Sequence, residues 1–169
     1  MEGLYTKEIT VLGVGNTILT DEGFGVHAVE HLKNNYAFDD RVQLIDGGTL
    51  GIELTHFITG TQKLLIIDSI DGGLEAGSVY RLSGDDIRAH FKQKISAHEV
   101  GIEEVLTLLE MTGRAIPEVI VLGAQPYVLE AGVGLSDDMK KILPTVVDGA
   151  VKILSDWGVE VAPKEWVQP

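Results

Sequence analysis

Apolar and polar positions change their spacing several times along the chain, and each change marks an element. Ile9-Thr-Val-Leu-Gly-Val14 is a β-branched run ending in a glycine turn, as expected of a buried strand. Gly25, Ala28, Val29, Leu32 and Tyr36 then follow the i, i+3, i+4, i+7 spacing of one helix face. Arg41-Val-Gln-Leu-Ile-Asp46 alternates like a half-covered strand, glycines 47, 48 and 51 break it, and a short helix is expected from Glu53 to Ile58. Lys63 to Ile70 is a continuous apolar run with Asp68 near its end, fitting a central strand covered on both faces. Ser78–Leu82 reads as a further strand. About seven loop residues precede it, fewer than a parallel crossover needs, so it should run antiparallel to its predecessor. A helix follows the His98 region with Ile102, Val105, Leu106 and Leu109 on one face, and Glu118–Leu122 is the last strand. The final helix starts near Ser136 and runs to Trp157, with Pro144 expected to kink it.

This order predicts an α/β chain: a single three-layer αβα domain over residues 1–158, with a loose tail over 159–169. The sheet should have about five strands, mostly parallel, one of them antiparallel. Ligands in such folds bind beyond the carboxyl ends of the strands, so the polar residues there matter most.

Composition narrows the chemistry. The chain has 169 residues, 26 acidic against 13 basic groups and a net charge of −13, which argues against nucleic acid or an anionic membrane as the main partner. It has no cysteine, which excludes disulfides, thiol nucleophiles and thiolate metal sites, so metal chemistry must use His, Asp and Glu. Residues 1–8 lack the apolar stretch of a signal peptide and no apolar run approaches the ~20 residues of a membrane helix, so a cytoplasmic protein is expected.

Several motifs compete. Gly13-Val-Gly-Asn-Thr-Ile18 begins like a dinucleotide fingerprint, but Ile18 stands where the third glycine belongs and no basic residue follows before Lys33. His27-Ala-Val-Glu-His31 matches the H-x-x-E-H pattern of some zinc peptidases. On a helical wheel, however, these three side chains fall at about 200°, 140° and 240° from Gly25, away from the apolar stripe, which predicts exposed histidines without a walled cleft. His98 opens an H-E-x-x-H pattern that Ile102 fails to close, while His56 and His90 read as surface or boundary residues. Neither a G-x-S-x-G elbow nor a Walker loop is present.

Asp46 and Asp68 both end strands, and Asp21 and Glu22 occupy the loop after the first strand. Asp21 reads as a cap or a solvated loop residue. A carboxylate ending a core strand, such as Asp68, is costly to bury unless it is paired or bound to a metal. Ser96-Ala-His-Glu99 fits a capping box, placing His98 in a first helical turn where the helix dipole disfavours imidazolium and leaves a ring nitrogen for a metal. Two carboxylates and an imidazole suit zinc, and imidazole also suits nickel.

These residues resemble the hydrogenase maturation endopeptidase family, the proteases that finish the large subunit of [NiFe] hydrogenases. Residues 13–25 resemble its opening signature and Asp46-Gly-Gly-Thr-Leu-Gly-Ile-Glu-Leu54 its second block. Ile66-Ile-Asp68, Ile95-Ser-Ala-His-Glu-Val-Gly101, Gly123-Ala-Gln-Pro126 and Gly134-Leu-Ser136 match later ones, so the likeness runs from residue 9 to about 157. It implies an αβα domain that removes a short C-terminal extension from the large-subunit precursor once nickel is in place. It also implies Glu22, Asp68 and His98 as metal-binding positions, with Asp46 a further family aspartate. On that reading nickel is carried by the precursor and is no permanent cofactor. The expected partner is the precursor alone, with neither nucleic acid nor membrane, and the chain is expected to act as a monomer.

Asp46 and Asp68 are then the candidate catalytic carboxylates, Asp46 as base or as the group orienting the attacking water. Nickel as a Lewis acid and a carboxylate-only route both stay open. Tyr127 stands where a more polar residue is expected and could tune which precursor is accepted. The rival readings are a resident-zinc peptidase using His27, Glu30 and His31, and a non-enzymatic chaperone that checks nickel.

Overall fold

A computed structural model describes residues 6–93 and 102–164. Strand β1 (Ile9–Val14) leads through a 3-10 turn (Thr20–Gly23) into helix α1 (Phe24–Asn35). Then come β2 (Tyr36–Phe38), β3 (Val42–Gly48), a 3-10 turn (Ile52–Leu54) running into α2 (Thr55–Ile58), and β4 (Lys63–Ser69). The second half holds β5 (Val79–Ser83), α3 (Asp85–Gln93), α4 (Ile102–Met111), β6 (Glu118–Ala124), α5 (Asp137–Asp156) and β7 (Val161–Pro163).

Five strands form one sheet in the order β3-β1-β4-β6-β5. The first four are mutually parallel, and β5 closes the edge antiparallel to β6. The expected strand directions therefore hold, with β5 placed beside β6 and β4 kept central. Strand alternation sends Ile9, Val11, Leu65, Ile67 and Leu122 into one core with buried residues of α1 and α5. Leu12, Leu64, Ile66 and Val121 enter a second core with α2, α3 and α4. The three layers are thus read directly from which alternate residues are apolar. Burying each of these Leu or Ile side chains contributes about 1.5–3 kcal/mol.

Two expectations give way. Residues 161–163 pair antiparallel with 36–38, so the segment after Val159 is a ribbon strand and not a loose tail, at least as far as Lys164. Helix α3 fills a stretch that the apolar pattern leaves unassigned; only Ile87 and Phe91, one turn apart, bury deeply there alongside His90. Helix α5 runs unbroken across Pro144, and Ser136 caps it by accepting from the Met139 amide at 3.2 Å.

Glycine sets how closely α1 approaches the sheet. A Cβ on Gly25 would strike the carbonyl oxygens of Ile67 and Val14, so only glycine lets the first turn of α1 rest on the ends of β1 and β4. Gly15, at φ 134°, turns the chain beneath the Glu22 carbonyl. The glycines that imitate a nucleotide fingerprint thus serve backbone packing.

Candidate active site

The loops leaving β1, β4 and β6 meet at the carboxyl end of the sheet. Asp68, the penultimate residue of β4, is 0% exposed there. Its Oδ2 lies 3.3 Å from Nε2 of His90 on α3. His90 is itself buried at 8% exposure, which corrects its reading as a surface or boundary residue. The correction has a simple cause: α3 packs against β5 and α4, which turns this histidine inward onto Asp68.

Glu22 reaches the same place from the 3-10 turn before α1. Its Oε2 accepts from Ser69 Oγ at 3.2 Å, and Ser69 is the residue after Asp68. Glu22 is half-buried and Ser69 nearly fully buried, so the two carboxyl groups expected to bind metal stand at one strand end. His98, with its proposed capping box at Ser96 and Glu99, lies outside the described residues.

Asp46 is exposed in the last turnings of β3. It lies in register with Gly13, and Gly13 with Ile67, so alternation places the Asp46 and Asp68 side chains on opposite faces of the sheet. With β1 between their strands, the two backbones are about 10 Å apart. Asp46 thus borders the site and stays separate from the Glu22–Asp68 pair.

Asp21 is neither a cap nor a solvated residue. It is 0% exposed, and its carboxylate accepts from the amides of Tyr127, Val128 and Ser136 and from Ser136 Oγ, at 2.8–3.0 Å. Gln125 makes a comparable junction: its Oε1 accepts from the Gly72 amide and Tyr80 hydroxyl, and its Nε2 donates to Asp71. Spacing could not identify Asp21, Gln125 or His90, because their partners come from distant elements. The one available signal was Gln125 inside the Gly123–Pro126 block.

The H-x-x-E-H motif behaves differently from its prediction. His27 and His31 are half-buried and only Glu30 is exposed. They line a groove of about 310 Å³ walled by Leu135, Lys140 and Leu143, because α5 packs along α1 and covers the face that the wheel left open. His27 Nε2 is buried and has no hydrogen-bond partner among the described residues. Even so, among the described residues no three His, Asp or Glu side chains converge as a metal site, and that holds for His27, Glu30 and His31. Nor is any helix among the described residues long and apolar enough to cross a membrane.

A family model described as hydrogenase maturation protease matches residues 26–153. The chain belongs to that family. It is 36% identical over 158 residues to the hydrogenase expression/formation protein HupD of Bradyrhizobium diazoefficiens, covering 92% of this chain and 82% of the relative. It is also 36% identical to the hydrogenase 2 maturation protease of Escherichia coli, with 93% and 96% covered. The structure of the E. coli hydrogenase maturating endopeptidase HybD superposes with a TM-score of 0.89 at 35% identity, covering 93% of this chain and 98% of HybD. Membership of this family agrees with a sheet whose carboxyl end carries the polar groups.

Proposed function

We propose that the chain is an endopeptidase that removes the C-terminal extension of a [NiFe]-hydrogenase large-subunit precursor after nickel insertion. On this reading Glu22, Asp68 and His98 grip the nickel that the precursor brings, so that cutting follows loading. The observation that carries it is that Glu22 reaches the end of β4, where it accepts from Ser69, the residue after the buried Asp68, in a chain of the hydrogenase maturation protease family. Carboxylates and an imidazole are hard-to-borderline ligands, suited to holding a nickel that must leave again with its product.

Hydrolysis adds a water oxygen to the scissile carbonyl carbon and breaks the C–N bond. The water's proton passes to the leaving amine, and a new carboxylate ends the large subunit. The precursor's nickel polarises the carbonyl or the water, and a carboxylate relays the proton. Asp46, exposed at the border of the site, is assigned to the incoming chain and its attacking water. His90 holds Asp68 in place. Ile18, Leu50, Leu74 and Leu129 stand exposed on loops around this end of the sheet and suit a polypeptide more than a small polar substrate.

Matched precursors, loaded with nickel and free of it, test the proposal. Loss of the extension only from the loaded precursor is the expected result. Equal cleavage of both contradicts nickel reading, and cleavage of neither contradicts the endopeptidase.

A further inference from the structure

Asp21 takes no part in the ligand set proposed above, yet its carboxylate accepts four hydrogen bonds from described residues. We infer that Asp21 is a positioning residue: its buried carboxylate fastens the loop over residues 127–136 to the Glu22 turn. The inference rests on the proposed function for its consequence, and on geometry alone for the clamp.

The geometry is specific to a carboxylate. Oδ2 accepts from Tyr127 N, Val128 N and Ser136 Oγ, and Oδ1 accepts from Ser136 N. All four partners donate, so neither oxygen can be exchanged for an amide nitrogen without setting donor against donor. The backbone adds a short ribbon. Thr20 N donates to Gly132 O, Asp21 N to Val128 O, and Gly132 N to Ile18 O, each at 3.0 Å. Thr20 Oγ1 also donates to the Glu130 carbonyl. Thr20 itself sits at φ 52°, a left-handed conformation that a β-branched residue adopts only when its surroundings hold it there.

The position matters because of what the clamped loop carries. Tyr127 is 40% exposed, Leu129 47% and Val133 91%, and Ile18, 62% exposed, lies on the facing segment before Thr20. Glu22 is the residue next to the clamp. Asp21 therefore fixes an apolar strip relative to the carboxylate that reads nickel, and the precursor's C-terminal segment meets both as one surface. Helix α5 keeps its own core contacts through Met139, Val146 and Ala150, so releasing the clamp should loosen the loop and leave the sheet intact.

Asp21→Asn and Ser136→Ala, compared with the unaltered chain, test this by amide hydrogen exchange and by cleavage of nickel-loaded precursor. In Asp21→Asn the amides of Tyr127, Val128 and Ser136 should exchange about tenfold faster or more, while those of Ile66 and Val121 stay protected. KM for the precursor should rise about tenfold with kcat changed by about threefold at most, since the clamp positions a binding surface. Ser136→Ala removes one of the four bonds and also the cap on the Met139 amide. It should speed exchange at Tyr127 and Val128, which the cap does not touch, by less than Asp21→Asn does, and raise KM the same way by less. It decides the matter if Asp21→Asn does not fold. Unchanged loop exchange, or a fall in kcat with KM unmoved, overturns the inference. If the unaltered chain cleaves no loaded precursor, the functional reading fails by itself. The exchange data then still decide the clamp: faster loop exchange upholds it and unchanged exchange refutes it.

Discussion

Two regions of this molecule carry the residue types of a metal site, and the fold treats them in opposite ways. On α1, His27, Glu30 and His31 have the spacing of a zinc-peptidase motif within one helix, yet they do not converge on a common point. At the end of β4, Glu22 and Asp68 lie 46 positions apart in the chain; Glu22 accepts from Ser69, the residue after Asp68, and His90 packs against Asp68. The difference is one of what does the positioning. Helical spacing puts side chains on one surface, whereas parallel strands ending together bring loops distant in sequence to one end of the sheet. A carboxylate held in such a place has fixed geometry, which is what the proposed reading of nickel would require.

The largest effect that separates the regions is on cleavage. Asp68→Asn should lower the rate on loaded precursor by on the order of 10²–10³-fold, the scale of losing one electrostatic contributor in an enclosed site. The His27→Ala/His31→Ala double variant should stay within about twofold in the same assay, since neither touches the reacting atoms. Equal losses in the two would erase the distinction.

A smaller loss should follow removal of the partner behind Asp68. His90→Leu fills much of the same volume but cannot hydrogen-bond, and should cost about 10–100-fold in cleavage, as supporting partners of ligands do. It should also lower stability by about 0.5–1.5 kcal/mol, the net worth of a typical side-chain hydrogen bond, measured by denaturant unfolding. A fully active variant would make the His90–Asp68 contact incidental.

The smallest effect lies at the other end of α1, in the ribbon of β2 and β7. Arg41 and the amides of Arg41 and Glu160 hold the Asp39 carboxyl at about 2, below the usual 3.8. A depressed folded-state value means the stabilisation is complete above pH 3.8 and fades as pH falls toward 2. Asp39→Asn should therefore lower the thermal midpoint slightly near neutrality and match the parent chain near pH 2. Cleavage should be untouched, because the ribbon lies far from the loops that build the site.

How much of this was legible in the sequence differs between fold and site for physical reasons. Strands β1 and β4 announce themselves because both faces are buried, and Ser136 marks the start of α5 through its own side chain. Around His90 a short helical stretch was legible, but not the bounds or inward face of α3, because its deeply buried apolar residues, Ile87 and Phe91, are too few to make a stripe. The β2–β7 ribbon rests on pairing between segments more than a hundred residues apart, which no local pattern records. Asp46 and Asp68 could be singled out by their places at strand ends, Glu22 by its loop before α1, and all three by family resemblance. Asp21 and His90 could not, since burial is what makes them notable and long-range packing is what buries them. His27 and His31 show the converse error: a helical wheel knows nothing of α5.

The central claim is that nickel carried by the precursor is gripped by Glu22, Asp68 and His98. X-ray absorption at the nickel edge, recorded on loaded precursor alone and in complex with this chain, tests it most directly. The account predicts new oxygen and nitrogen neighbours at about 2.0–2.2 Å in the complex, lost with Glu22→Gln or Asp68→Asn. A nickel environment that is identical with and without the protease, under conditions where the two are bound, would contradict it.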